Sequence, residues 1–175
     1  MSGREVQRRA TRLMLGAVGG DGFVLAGASA IREHGLTDRP TEDVDLFGSQ
    51  ATTVEQFAEA VTRAEAALEA DGWQVERLRV HPLFARLRVY SPEGEGLDVD
   101  FAVNWRAAPP ATLALGPMLS ERDAVAGKLS AVYSRGEVRD FLDLDAIRAS
   151  GRYSDVDLIA LSHQHDDGFD ESTFA

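Results

Sequence analysis

An α+β fold is expected for this 175-residue chain, and three observations point to it. Short apolar or alternating runs of strand character fill the middle of the sequence. Helical periodicity opens the chain and takes over after Ser120, with no further strands. Apolar residues make up 44% and charged residues 27%, the proportions of a globular chain that buries about two thirds of its surface without staples. The length suits one domain, 1–175, with a sheet-bearing core over 1–105 and a helical part over 119–175.

The first helix is expected from Arg4 to Ala17, where Val6, Ala10, Leu13, Met14 and Ala17 form one stripe. Gly19, Gly20 and Gly22 break it, and Phe23-Val24-Leu25-Ala26 reads as a short buried strand. Ala28 to His34 follows as a short helix, closed by Gly35. Asp43 to Phe47 alternates and reads as a strand. Thr53 to Ala70 is the clearest helix, with Val54, Phe57, Val61, Ala64 and Leu68 on its stripe and Gly72 after its end. Strands are expected at Trp73–Val80, Leu83–Tyr90 and Leu97–Val103, the last two joined by a hairpin-like turn at Pro92 to Gly96. Arg106 to Pro117 contains Pro109, Pro110 and Gly116 and reads as a loop. Helices are expected at Glu121–Ser134 and Glu137–Ala149, with a weaker one from Asp155. Gly168-Phe169-Asp170-Glu171 looks like the cap of a further, truncated helix.

Several function classes drop out on composition. With no cysteine there is no disulfide framework, thiolate zinc site or cysteine nucleophile. No apolar run approaches the roughly 20 residues of a membrane span. The N-terminal stretch intersperses Arg4, Arg8, Arg9 and Arg12 with apolar residues and lacks the continuous core of a signal peptide. A cytoplasmic location without membrane contact is therefore expected. The formal charge is −11, from 18 basic and 29 acidic residues. Six of the acids lie between Asp155 and Ala175, a stretch with no Lys or Arg. Such a chain is no generic nucleic-acid binder, although a local basic patch can still hold RNA. Among the basic residues, 17 are Arg and one, Lys128, is Lys.

The most specific feature is Gly27-Ala28-Ser29 followed by Arg39-Pro40-Thr41-Glu42-Asp43-Val44-Asp45. Aspartates at i and i+2 on a strand project from the same face. Two such carboxylates repel each other unless a cation lies between them, and a hard oxygen pair suits Mg²⁺ with phosphate. A bare D-x-D is more often a solvated strand end. Here, however, the glycine and serine follow one strand and open a helix, an end that offers N–H groups to an anion. Together the two elements describe a nucleoside triphosphate site. A later strand, Leu97-Asp98-Val99-Asp100-Phe101, offers a third carboxylate, and its alternation leaves Asp98 and Asp100 equally placed. In a chain that otherwise uses arginine, Lys128 suggests a need for a compact point charge.

The G-x-S element, the D-x-D strand and the later strand aspartate resemble the polymerase-β-like nucleotidyltransferase superfamily. The run R-x-T-x-D-x-D resembles the AbiEii/AbiGii (MenT-type) toxin nucleotidyltransferases within it. So do Lys128-Leu129-Ser130-Ala131 and Arg139-Asp140-Phe141-Leu142-Asp143-Leu144, so that the matches span about Phe23 to Ile147. The chain departs from the pattern at Ala28, where a second glycine is usual, and in its short helical end. The resemblance implies a polymerase-β-like mixed sheet. It implies Asp43 and Asp45 as metal ligands for two Mg²⁺ ions, with Asp100 as the third catalytic carboxylate and Asp98 as its alternative. Gly27, Ser29, Arg39, Thr41 and Asp140 fall at the nucleotide, and Lys128 at the triphosphate as a catalytic residue. An i,i+4 pair between Asp143 and Arg139 is a structural option. The implied reaction moves a nucleoside monophosphate from an NTP to an acceptor hydroxyl, with a tRNA 3′ end as acceptor and a cognate antitoxin as partner. Rivals are a small-molecule, antibiotic-type nucleotidyltransferase and a catalytically silent nucleotide- or partner-binding module.

Other features carry less. Gly127-Lys128-Leu129-Ser130 lacks the upstream glycine and strand of a P-loop. Gly16 to Gly22 precedes a strand, where a dinucleotide fingerprint follows one. His163 and His165, at i and i+2, diverge on a helix and make a poor metal pair. Arg77, Arg79, Arg86 and Arg88 form a basic strip for triphosphate or RNA only if the hairpin register puts them on one face.

Overall fold

Two capping boxes set the helices that back the sheet. In the computed structural model, which describes residues 2–170 and 172, Ser2 caps α1 (Gly3–Val18) with Glu5 closing the box. Thr53 and Gln56 do the same for α3 (Val54–Ala70). α1 buries Val6, Ala10, Met14 and Val18, and α3 buries Phe57, Val61, Ala64 and Leu68. The two stripes pack on each other and on one face of a seven-stranded mixed sheet.

The strands are β1 (Val24–Ala26), β2 (Asp43–Gly48), β3 (Gln74–His81), β4 (Phe84–Tyr90), β5 (Gly96–Val103), β6 (Ala111–Leu113) and β7 (Gly116–Met118). Their spatial order is β3-β4-β5-β2-β1-β7-β6. β2 runs parallel to β5 and β1 parallel to β7; the other pairs are antiparallel. Alternation divides the faces. Val44, Leu46, Leu87, Val99 and Phe101 are fully buried toward the backing helices, which leaves the aspartates of β2 and β5 on the opposite face. The short α2 (Gly27–Glu33) follows β1, and Gly35 leaves it at a φ of 74°. Three helices follow the sheet: α4 (Glu121–Ser134), α5 (Val138–Ala149) and α6 (Asp155–His165). α4 lies against α2 and gathers α5 and α6 around itself.

One expected element differs. The segment read as a loop, Arg106 to Pro117, contains β6 and the start of β7. β7 extends the sheet past β1, where Leu25 pairs with Met118 and the Leu119 N–H donates to the Leu25 carbonyl. Three-residue strands beside prolines are too short to show alternation, so the sequence registers only the breakers. Of the expected cap at Gly168 to Glu171, Glu171 lies outside the described residues.

Candidate active site

The parallel register of β2 and β5 sets Asp43 beside Asp98 and Asp45 beside Asp100. Each aspartate of β5 thus neighbours one of β2, Asp100 beside Asp45 and Asp98 beside Asp43. On the far side, β4 places Arg86 opposite Asp100 and Arg88 opposite Asp98. Arg86 donates a two-pronged pair of hydrogen bonds to Asp100 at 2.7 and 2.6 Å, which raises the guanidinium pKa. Arg88 lies 2.9 Å from Asp98. Asp43 accepts one bond, 3.2 Å, from Arg139 of α5.

Asp45 has no such partner among the described residues. Its burial, together with the charges of Asp43 and Asp100, pushes the carboxyl up to about 7. The side chain lies over Gly27, whose φ is +59°; a Cβ there would come within 1.8 Å of Asp45 Oδ2. Glycine is needed here for both its conformation and the space it leaves. Among the described residues no three His, Asp or Glu side chains yet converge as a metal-ligand set. Arg86 and Arg139 hold the carboxylates that flank Asp45.

Ser29 departs from the phosphate contact expected of it. It is 3% exposed, and its hydroxyl lies 3.1 Å from Thr41 Oγ1, within a network around Gln7. Gln7, which the sequence reading did not single out, donates to Thr41 Oγ1 and to the Asp43 carbonyl, both at 2.7 Å. Its own Oε1 accepts from Arg32 at 2.7 Å. The hydroxyl of Thr41 is also taken up in this network, although the residue lines the cleft. α1 thus pins the start of β2 from behind. The signal was available: Gln7 stands three, four and seven places before Ala10, Thr11 and Met14 on the buried stripe.

The opposite wall is cationic. A cleft of about 150 Å³ has Asp43 and Asp45 on one side and Arg39, Lys128, Arg135 and Arg139 on the other. Lys128 is 6% exposed, and its Nζ lies 3.0 Å from Asp140 and 2.9 Å from Asp143. Arg135 also forks onto Asp140, at 2.8 and 2.9 Å, and Arg39 onto Asp143 at the same distances. Burial alone would raise the pKa of both carboxyls. The bonds from Arg135 and Lys128 on Asp140, and from Arg39 and Lys128 on Asp143, outweigh it and hold both below the ordinary range.

Three expectations change here. Asp140, expected at the nucleotide, is fully buried behind the wall and absent from the cleft lining. Asp143 pairs with Arg39 rather than Arg139, because Arg39 presents a forked guanidinium from another segment, while Arg139 turns to Glu137 and Asp43. The arginine strip splits at an irregularity between Arg77 and Arg79. Arg79, Arg86 and Arg88 share the carboxylate face, whereas Arg77 binds Glu65 of α3 on the other.

An aspartate-bearing strand pair thus faces a cationic wall on one side of a mixed sheet. Residues 12–171 match the family described as nucleotidyl transferase AbiEii toxin, type IV toxin–antitoxin system. The chain belongs to the AbiEii family of nucleotidyltransferase toxins. Membership makes it a nucleotidyltransferase and implies a nucleotide substrate and a cognate antitoxin. Solved structures share the fold at low identity. JHP933 from Helicobacter pylori is 20% identical with a TM-score of 0.59, over 90% of this chain and 70% of that one. MenT4, a nucleotidyltransferase toxin from Mycobacterium tuberculosis, is 20% identical with a TM-score of 0.61, over 91% and 64%. The antibiotic-resistance factor ANT(2'')-Ia is 16% identical with a TM-score of 0.57, over 91% of both chains. No curated protein matches. No helix among the described residues is long and apolar enough to cross a membrane.

Proposed function

We propose that this AbiEii-family chain transfers a nucleoside monophosphate from an NTP to the 3′-terminal hydroxyl of a tRNA in the cytoplasm, with Mg²⁺: the acceptor oxygen bonds to the α-phosphorus, the α–β phosphoanhydride bond breaks and pyrophosphate leaves. The observation that carries the reading is Asp45, an unpartnered carboxylate flanked by Asp43 and Asp100 and facing four cationic side chains across one cleft. The donor set fits a hard divalent ion: it is all carboxylate oxygen, and its charges repel as they stand. Asp43, Asp45 and Asp100 would hold it. When bound, Mg²⁺ supplies charge neutralisation of the phosphates and of the attacking oxygen.

The chain's own residues do the positioning. Arg39, Arg135 and Arg139 face the cleft and take the triphosphate oxygens. Lys128 holds Asp140 and Asp143 in place, and these in turn fix the guanidinium planes of Arg135 and Arg39. Gly27 keeps the floor open beneath Asp45. Asp100 stands on the edge facing Arg79, Arg86 and Arg88, the local basic patch from which an RNA acceptor approaches, and there it takes the acceptor proton.

The test is incubation with four labelled NTPs, Mg²⁺ and total RNA, alongside an Asp45→Asn variant. Label on tRNA with the wild type alone, falling steeply with salt, is expected, because each phosphate contact releases counterions. A second reading is a small-molecule acceptor. The charge of −11 attracts cationic compounds, and the fold is shared with an antibiotic-resistance factor over 91% of both chains. Label on a cationic antibiotic but not on RNA would establish it. Binding of NTP without transfer to either would leave the silent binding module.

A further inference from the structure

A second cavity, of about 250 Å³, opens on the other side of Asp45 from the cationic cleft, and the two share Gly27, Asp45, Lys128 and Arg135. The lining changes character across Asp45. Toward the start of β2 the walls are guanidinium groups. Toward its end they are Phe47, two residues along the same strand face, and Asn104, Trp105 and His165. Trp105 is 42% exposed, unusual for tryptophan, and its ring stands edge-on to His165 at 5.6 Å. Neither ring is used by the transfer described above.

The polar atoms here are only half engaged. Asn104 Oδ1 accepts from the Trp105 backbone N–H at 2.8 Å, which orients its amide and leaves the NH₂ group to donate. His165 Nδ1 is buried without a hydrogen-bond partner among the described residues. Aromatic side chains in the lining, Trp105 among them half-exposed, and a free amide donor suit a planar heterocycle with polar edges.

We infer that this cavity is the base subsite for the incoming NTP, with Trp105 as the stacking platform and Asn104 reading the base edge. The inference rests on the proposed nucleotide site and deepens it. A nucleotide with its β- and γ-phosphates among the arginines and its α-phosphate at Asp45 extends its sugar and base in this direction. The acceptor then enters over Asp100 and the arginines of β4, leaving the aromatic cavity to the donor. A base brought by the acceptor is the competing source of the same chemistry.

The test titrates each NTP, and inorganic tripolyphosphate, with Mg²⁺ into the wild type, Trp105→Ala and Trp105→Phe. Intrinsic fluorescence and calorimetry are the readouts. NTPs should quench wild-type emission and tripolyphosphate should not, and the quench should vanish in Trp105→Ala. That variant should bind NTP about tenfold or more weakly, the size of one lost stacking contact, with tripolyphosphate affinity unchanged. Trp105→Phe, which keeps a stacking ring, should recover most of the NTP affinity. Equal weakening of tripolyphosphate and NTP would overturn the base assignment, since the residue would then support the phosphate cleft. NTP affinity unchanged in Trp105→Ala, with a raised KM for RNA, would overturn it in favour of the acceptor's base. A wild type that binds tripolyphosphate and NTP equally, without quenching, refutes the subsite while leaving the phosphate site standing; one that binds neither refutes both.

Discussion

Replacing Lys128 by alanine should destabilise the fold as well as the site. Its Nζ lies 3.0 and 2.9 Å from two carboxylates that are themselves fully buried. Removing one partner of a buried ion pair typically costs about 3–5 kcal/mol, because the remaining charge stays desolvated. Arg135 and Arg39 still hold the two carboxylates, so the lower end, about 3 kcal/mol, is the expected value. For a chain of this length each kcal/mol moves the midpoint by about 2–4 °C, so the melting temperature should fall by about 6–12 °C. Thermal unfolding followed by circular dichroism at pH 7, with urea midpoints in parallel, measures this directly. Adding Asp143→Asn to Lys128→Ala should restore part of the loss, since one of the two buried charges that lost the ammonium is then neutral. A single mutant melting within about 2 °C of wild type, with no gain in the double, would refute the buried cluster and return Lys128 to the solvent.

Three further outcomes follow from the site. Asp45→Asn should abolish transfer yet stabilise the cation-free protein at pH 8. With its folded pKa raised to about 7, Asp45 contributes stability below about pH 4 that is lost as the pH rises through 7, at most about 4 kcal/mol and, with the side chain partly open to the cleft, about 1–3. The advantage of the variant should therefore shrink at pH 5 in urea titrations. Gly27→Ala should lose nearly all transfer, as its Cβ displaces the Asp45 carboxylate, for a backbone cost of only about 1–2 kcal/mol by thermal melt. Asp140 and Asp143, held below the ordinary range, contribute stability that is present above about pH 4 and lost on acidification through their folded values. Wild type should weaken below that pH, and an Asp140→Asn/Asp143→Asn double mutant should show a flatter profile.

What could be read from the sequence was whatever depends on near neighbours. α3 announces itself through a stripe repeating every three to four residues from Thr53 and a closing Gly72, and the alternation of β2 puts Asp43 and Asp45 on one face before any partner strand is known. Partner choice was much less legible. Arg39 and Asp143 stand 104 positions apart, and nothing local ranks that pairing above Arg139 and Asp143 on one helix. Lys128 was conspicuous as the sole lysine. What its ammonium meets, two buried aspartates behind the cleft wall, depended on how α5 docks. Ser29 failed for a similar reason: the hydroxyl sits where the motif puts it, but Gln7 and Thr41 arrive from either side to engage it. Trp105, in a stretch with no periodicity, gave no signal at all.

The distance along the chain between the two walls of the cleft has a consequence for the timing of synthesis. Arg139 meets Asp43 across 96 positions. Translation runs from the N-terminus, and folding tends to follow it, so the carboxylates of β2 emerge long before Lys128, Arg135 and Arg139. In the interval the aspartates have neither their cationic counterpart nor most of the groups that would grip a triphosphate. For a member of a toxin family this is a built-in delay. The cationic wall of the cleft is complete only once α4 and α5 have emerged.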